Sequence, residues 1–172
     1  WQGDITRLKV DAIVNAANAQ ALGCWAPLHN CIDNCIRSAA GIQLRKECAD
    51  KMQGRLLATG DAFITQGYNL PARHVIHTVG PVYRGGTRGE AELLKSAYLE
   101  SLKLASEKGL KSVAFPAISL GIYGYPREEG ARIALNTAID YLKAHDGIAR
   151  VHFVLFGRDM YGLFARELRL LL

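Results

Sequence analysis

The sequence predicts an α/β sandwich built around a largely parallel sheet. Short apolar runs alternate with amphipathic stretches along the chain. Two of those stretches carry clear apolar stripes with helix-stopping residues behind them. The 172 residues hold no internal repeat, low-complexity tract or linker, so one domain accounts for residues 1–172.

The elements follow in order. Gly3-Asp4-Ile5 reads as the exit of a strand whose body would lie before residue 1. Residues 11–15 (Asp-Ala-Ile-Val-Asn) read as a short buried strand. Residues 31–52 read as two helices hinged near Gly41. Residues 61–66 and 74–79 read as strands, separated by the turn signal Gly67-Tyr68-Asn69-Leu70-Pro71. Residues 90–108 form a helix with Leu94, Ala97, Tyr98, Ser101, Leu102 and Ala105 on one face, stopped by Gly109. Residues 111–118 are a buried strand. Residues 127–144 form a second helix, with Ala131, Ala134, Leu135, Ala138, Ile139 and Leu142 as its stripe and Pro126 at its first turn. A strand over 151–156 and a helix over 159–172 complete the chain.

Composition excludes several classes. Hydrophobic residues make up 49% and charged residues 22%, an ordinary globular balance that needs no disulfide scaffold. No apolar run approaches the ~18 residues of a membrane helix. The start, Trp1-Gln2-Gly3-Asp4, lacks a basic segment followed by an apolar one, so no secretory signal is visible and a cytoplasmic setting is expected. The absence of an initiator Met fits a trimmed piece of a longer chain. Lys and Arg number 21 against 16 Asp and Glu, a net charge of +5 that favours an anionic partner such as a phosphate ligand. The basic residues are scattered apart from Arg84 and Arg88 in a Gly-rich loop, so nucleic-acid binding is not expected.

Four constellations carry potential chemistry. Cys24-x4-His29-x-Cys31 supplies thiolates and an imidazole, the donor types zinc prefers, with no obvious fourth ligand. The alternative is that the cysteines are small buried hydrophobes; Cys35 and Cys48 are expected to face the core. Ser119-Leu120-Gly121-Ile122-Tyr123-Gly124 joins a strand to a helix N-terminus, where backbone N–H groups can approach a phosphate, although a plain turn explains two glycines equally well. Asn15-Ala16-Ala17-Asn18 ends another strand, with amides for a sugar hydroxyl or for a turn. Asp4 offers a carboxylate to an exocyclic amine, or a helix cap. All four fall at strand ends, hence on one rim of the sheet, and suggest a nucleotide-like ligand across it.

These stretches together resemble a macrodomain. Gly3-Asp4-Ile5-Thr6, Asp11-Ala12-Ile13-Val14-Asn15-Ala16-Ala17-Asn18 and Val75-Ile76-His77-Thr78-Val79-Gly80-Pro81 carry the likeness, continued by Phe115-Pro116-Ala117-Ile118-Ser119 and Gly121-Ile122-Tyr123-Gly124-Tyr125-Pro126. The resemblance implies a three-layer α/β/α fold with a mixed, largely parallel central sheet that binds ADP-ribose. The stretch from Leu22-Gly23-Cys24 through Cys31-Ile32-Asp33-Asn34 is similar to the zinc-dependent macrodomains, which are mono-ADP-ribosyl hydrolases. In bacteria these are often encoded beside a sirtuin-class transferase and a glycine-cleavage H-like carrier protein, which makes that modified carrier a candidate substrate.

The same resemblance implies roles. Asp4 would accept from the adenine amine, Ile5 would give a backbone contact, and Phe156 would pack on the adenine face. Ser119, Leu120, Gly121, Ile122, Tyr123 and Gly124 would wrap the diphosphate. Asn18 would bond a hydroxyl of the distal ribose, with Tyr123 nearby. Cys24, His29 and Cys31 would hold zinc beside it, and Asp33 would orient a ligand, accept a proton or simply cap a helix. Asn18, Asp33 and Tyr123 are the expected catalytic residues. Leu120 stands where Thr is common and Arg37 where His is common; Arg37 is expected to matter little. The expected reaction is hydrolysis at C1″ of the distal ribose. A non-catalytic reader of ADP-ribosylated protein and a hydrolase of a small ADP-ribose derivative are the alternatives.

Overall fold

The structure, a computed structural model, describes residues 1–21 and 31–172. Five strands form one sheet: β1 (Ala12–Ala16), β2 (Ala62–Gln66), β3 (His74–Thr78), β4 (Ser112–Phe115) and β5 (Arg150–Phe153), in the spatial order β2-β3-β1-β4-β5. β2 is antiparallel to β3, and every other neighbouring pair is parallel. The expected mixed, largely parallel sheet is therefore what forms.

Side-chain alternation on the central strands divides the interior in two. Ala12 and Val14 of β1, Ile76 of β3, and Val113 and Phe115 of β4 enter one core; Ile13, Val75 and Ala114 enter the other. The first core is covered by α3 (Glu90–Glu107), α4 (Arg127–Ala144) and α5 (Arg158–Leu171). The second is covered by α1 (Ile32–Ala40) and α2 (Ile42–Met52). A sheet between two helical layers is the three-layer sandwich that both strand hydrophobicity and helix amphipathicity require. No helix among the described residues is long and apolar enough to cross a membrane.

Element types match the sequence reading, and the ends differ for physical reasons. Gly41 has φ +96°, a conformation open to glycine, and it separates α1 from α2. β4 stops at Phe115 because Pro116 has no N–H for the ladder. β5 stops at Phe153, so Phe156 lies beyond the strand. There Leu155 pairs with the N-terminal segment: Gly3 N–H donates to Leu155 O at 3.0 Å and Leu155 N–H to Trp1 O at 2.9 Å. The six residues read as the inner face of α3 are all buried. On α4, Thr137 and Tyr141 are buried, whereas Ile139 and Leu142 are only partly covered.

Tyr98 ties α3 to the segment that leaves β4. It is 1% exposed, accepts from Ile118 N–H at 3.0 Å and donates to Pro116 O at 3.4 Å. Removing its hydroxyl orphans a buried amide. Tyr98→Phe should destabilise the fold by about 1–3 kcal/mol, measured by denaturant unfolding.

Candidate functional site at the carboxyl rim of the sheet

β1, β3, β4 and β5 run parallel, so their carboxyl ends share one edge, the usual ligand crevice of an open α/β sheet. The β1 ladder continues one residue further, with Ala17 N–H donating to Thr78 O at 2.8 Å. Asn18 then starts a tight turn whose Oδ1 and carbonyl both accept from Ala21 N–H at 3.0 Å. Ala21 is held at φ +56°, unusual for a residue with a Cβ.

Beneath this edge lies a buried polar network. Asn15, fully buried on β1, donates through Nδ2 to Asp33 Oδ1 at 2.8 Å and to His77 Nδ1 at 3.2 Å. Asp33 accepts only, and this fixes the Asn15 amide with its nitrogen toward the carboxylate. His77 Nδ1 is then an acceptor, so the ring proton sits on Nε2 and is given to Thr65 Oγ1 at 3.0 Å. Cys48 Sγ lies 3.7 Å from the same nitrogen, and Phe63 stacks on the ring at 4.8 Å. Arg37 Nε donates to Asp33 Oδ1 at 2.8 Å, an ion pair with side chains only 10% and 6% exposed.

Two expectations change here, and one residue is added. Asn15 is spent inside the network and presents nothing to a sugar, which leaves Asn18 at the surface end of the motif. The cap of α1 is Cys31, whose Sγ accepts from Asn34 N–H at 3.5 Å; Asp33 sits one step inside the helix. Arg37, expected to matter little, joins the network, because one helical turn brings it onto Asp33. That four-residue spacing was the signal available in the sequence. Cys48 is buried as expected, whereas Cys35 is only half-buried.

The loop after β4 carries the second half of the rim. Ser119 adopts φ +67° and packs where Gly80 leaves room: a Cβ on Gly80 would lie 2.2 Å from Ser119 Oγ. That hydroxyl is buried without a hydrogen-bond partner among the described residues, as is Asn15 Oδ1. Tyr125 N–H returns to Ser119 O at 3.0 Å and Gly124 N–H to Gly121 O at 3.0 Å, closing the loop on itself. The amides of Gly121, Ile122 and Tyr123 take no backbone acceptor among the described residues. α4 begins just after, with no side chain capping its N-terminus, so donors and helix dipole face the same edge. The Leu120 side chain turns inward instead, 4% exposed and seated against Gly130, which leaves only its backbone to a ligand. Tyr123 is half-buried, and burial together with the negative charge of Asp33 raises its phenol above the usual range, so it remains a proton donor.

The outer positions are less committed. Asp4 caps the 3-10 turn Ile5–Arg7, accepting from Thr6 N–H at 2.9 Å and Thr6 Oγ1 at 2.7 Å, with Arg7 at 3.7 Å from its other oxygen. The cap reading of Asp4 is thus realised. Ile5 is buried, and Phe156 is 79% exposed beyond β5. Of the three expected zinc ligands, Cys31 is half-buried at the start of α1, and Cys24 and His29 lie outside the described residues.

His77 makes the fold pH-sensitive. Burial, reinforced by the charges of Arg37 and Lys51, holds its pKa well below the ordinary value. The unfolded chain takes up that proton near pH 6.5 while the folded chain does not. The stability from this group is full above pH 6.5 and falls below it, by about 1.4 kcal/mol per pH unit. Unfolding free energies of the wild type and His77→Gln across pH 7 to 5 should differ by that slope, with the variant flatter.

Comparison with known proteins gives the family. Residues 14–134 match the Macro domain family. A "Protein-ADP-ribose hydrolase" of Staphylococcus aureus is 49% identical over 160 residues, covering 91% of this chain and 60% of that protein. The chain therefore spans about three-fifths of the length of the first such relatives. An "O-acetyl-ADP-ribose deacetylase" of Escherichia fergusonii is 47% identical over 169 residues, covering 97% of this chain and 92% of that protein. The solved Oceanobacillus iheyensis macrodomain with ADP superposes with a TM-score of 0.90 at 40% identity, covering 99% of this chain and 88% of that one. With the family sequence matched over most of its length and the fold shared end to end, this chain belongs to the Macro domain family.

Proposed function

We propose that the chain is a mono-ADP-ribosyl-protein hydrolase that binds ADP-ribose along the carboxyl rim. The observation that carries this reading is the Asp33 carboxylate, buried under the rim with one oxygen fixed by Asn15 and Arg37, in the electrostatic reach of Tyr123. The names of the relatives from Staphylococcus aureus and Escherichia fergusonii support hydrolysis as the class of chemistry.

In this reading the amides of residues 121–123, which take no backbone acceptor among the described residues, and the N-terminus of α4 hold the diphosphate. Asn18 bonds a distal ribose hydroxyl, Asp4 and Ile5 meet the adenine, and Phe156 covers its face. Hydrolysis breaks the bond from C1″ to the modified side chain and joins a water oxygen to C1″; one water proton ends on the leaving group. The carbon gains oxocarbenium character on the way, as in glycoside cleavage. Asp33 stabilises that charge or takes the proton of the incoming water. Tyr123, kept neutral, donates to an oxygen of the ribose or the leaving group.

The donor set Cys24, His29 and Cys31 fits zinc chemically, and the half-buried sulfur of Cys31 lies two residues from Asp33. Those three residues would hold the ion, which when bound supplies positive charge and orientation beside the reacting centre. The substrate would be a modified protein such as a glycine-cleavage H-like carrier. A small ester such as O-acetyl-ADP-ribose is the second reading, favoured by the name of the full-length relative from Escherichia fergusonii.

Release of ADP-ribose from mono-ADP-ribosylated protein tests the reading directly. Asp33→Ala should lower kcat by about 10²- to 10⁴-fold, while calorimetry still detects ADP-ribose binding. Binding without any release by the wild type would favour a reader module. For the metal, elemental analysis should find one zinc per chain. Cys31→Ala or a strong chelator should abolish release and leave ADP-ribose affinity measurable; full activity without metal would overturn zinc dependence.

A further inference from the structure

We propose that Arg37 is a positioning residue for this reaction: its guanidinium holds the Asp33 carboxylate and the Ala21 carbonyl in one fixed arrangement under the rim. The proposal rests on the hydrolase reading. All three guanidinium nitrogens are engaged, each with a different segment. Nε donates to Asp33 Oδ1 on α1 at 2.8 Å. Nη2 donates to the carbonyl of Ala21, beyond the end of β1, at 2.8 Å. Nη1 points to Cys48 Sγ on α2 at 3.6 Å.

Burying an ion pair this deeply is expensive, and fold stability alone would be served as well by apolar side chains of similar volume in place of both Arg37 and Asp33. What the guanidinium adds is geometry, because its planar fork fixes two acceptors relative to each other. Asp33 Oδ1 takes both Arg37 Nε and Asn15 Nδ2, so the carboxylate plane is set from two sides. Oδ2 takes no hydrogen bond from the other described residues. Ala21 sits at φ +56°, where a residue with a Cβ is strained. The bond from Arg37 holds its carbonyl there, and Asn18 holds its amide. One side chain thus couples the acid of α1 to the turn that carries Asn18.

The test uses the chain with Arg37→Met, Arg37→Lys and Arg37→Met in an Asp33→Ala background. Turnover on mono-ADP-ribosylated protein, affinity for free ADP-ribose by calorimetry, and thermal unfolding are measured. Misplacing a catalytic group by about 1 Å costs about 10²-fold, so Arg37→Met should lose that much in kcat. KM and the ADP-ribose Kd should change less than about threefold, a split expected when only the reacting geometry is disturbed. Arg37→Lys should recover part of the loss. In the Asp33→Ala background, Arg37→Met should cost little more, since the effects are not additive when one residue acts through the other.

A folded Arg37→Met with kcat within threefold of wild type overturns the proposal. So does an equal loss of kcat and ligand affinity, or full additivity with Asp33→Ala. If Arg37→Met does not fold, Arg37→Lys and Arg37→Gln supply the same comparison. An inactive wild type overturns the hydrolase reading and this proposal with it, whereas an active wild type with equally active variants overturns the proposal alone.

Discussion

Parallel pairing of β1 on both sides is the constraint on which the site depends. β1 meets β3 along its full length and β4 at Ala12 and Ile13, with all three strands pointing the same way. Three consecutive strand exits must then open at one edge. Asn18 follows from β1, Gly80 from β3, and Ser119 from β4, and none of them needs a long loop to reach the others. The contact between Gly80 and Ser119 is the direct product of this pairing, since a side chain at residue 80 would occupy the space of the serine hydroxyl. The helices after β4 and β5 then start at the same edge, which adds their N-terminal amides to it.

The second consequence is electrostatic. A strand buried on both faces has no room for charge, yet β1 and β3 carry Asn15 and His77 side by side in register. The network resolves this by giving each group a defined role. His77 is neutral and passes its proton toward Thr65, Asn15 bridges acceptor to acceptor, and the one full negative charge, on Asp33, meets the one full positive charge, on Arg37. Such an arrangement is costly when incomplete and rigid when satisfied. At that depth it fixes the Asp33 carboxylate in one orientation beneath the rim.

Much of the fold was legible because period-two and helical patterns are local. Residues 11–15 and 74–79 announced β1 and β3 within a residue or so, and α4 was read at its observed ends. Errors gathered where a tertiary partner sets the end. The stretch 151–156 stayed apolar past Phe153, but its last residues pair with the N-terminal segment instead of continuing β5, and Phe156 is left outside. The site was legible as a location and much less so as a set of contacts. Asn15 and Asp33 are 18 residues apart and Asn15 and His77 62 apart, and nothing in a single sequence joins such pairs. Arg37, expected to matter little, is paired with Asp33. Its partner lies four residues away, within easy reach, but an ion pair at that spacing normally means a solvated helix face. Burial turned an ordinary surface pair into part of the polar network beneath the rim.

Two strained residues show how the layers act on each other. Ala21 at φ +56° and Ser119 at φ +67° lie beyond the ends of neighbouring strands, and either would relax more easily as glycine. Each is held by something beneath it: Ala21 by Asn18 and Arg37, Ser119 by the return bond from Tyr125 and the bare backbone of Gly80. Strain of this kind persists only where the surrounding structure over-determines the conformation. The same contacts that hold Ala21 also orient Asp33, so the turn and the carboxylate cannot move independently. The rim therefore behaves as an extension of the core, and a change at Arg37 or Asn15 should reach the orientation of the Asp33 carboxylate before it reaches the grip on a ligand.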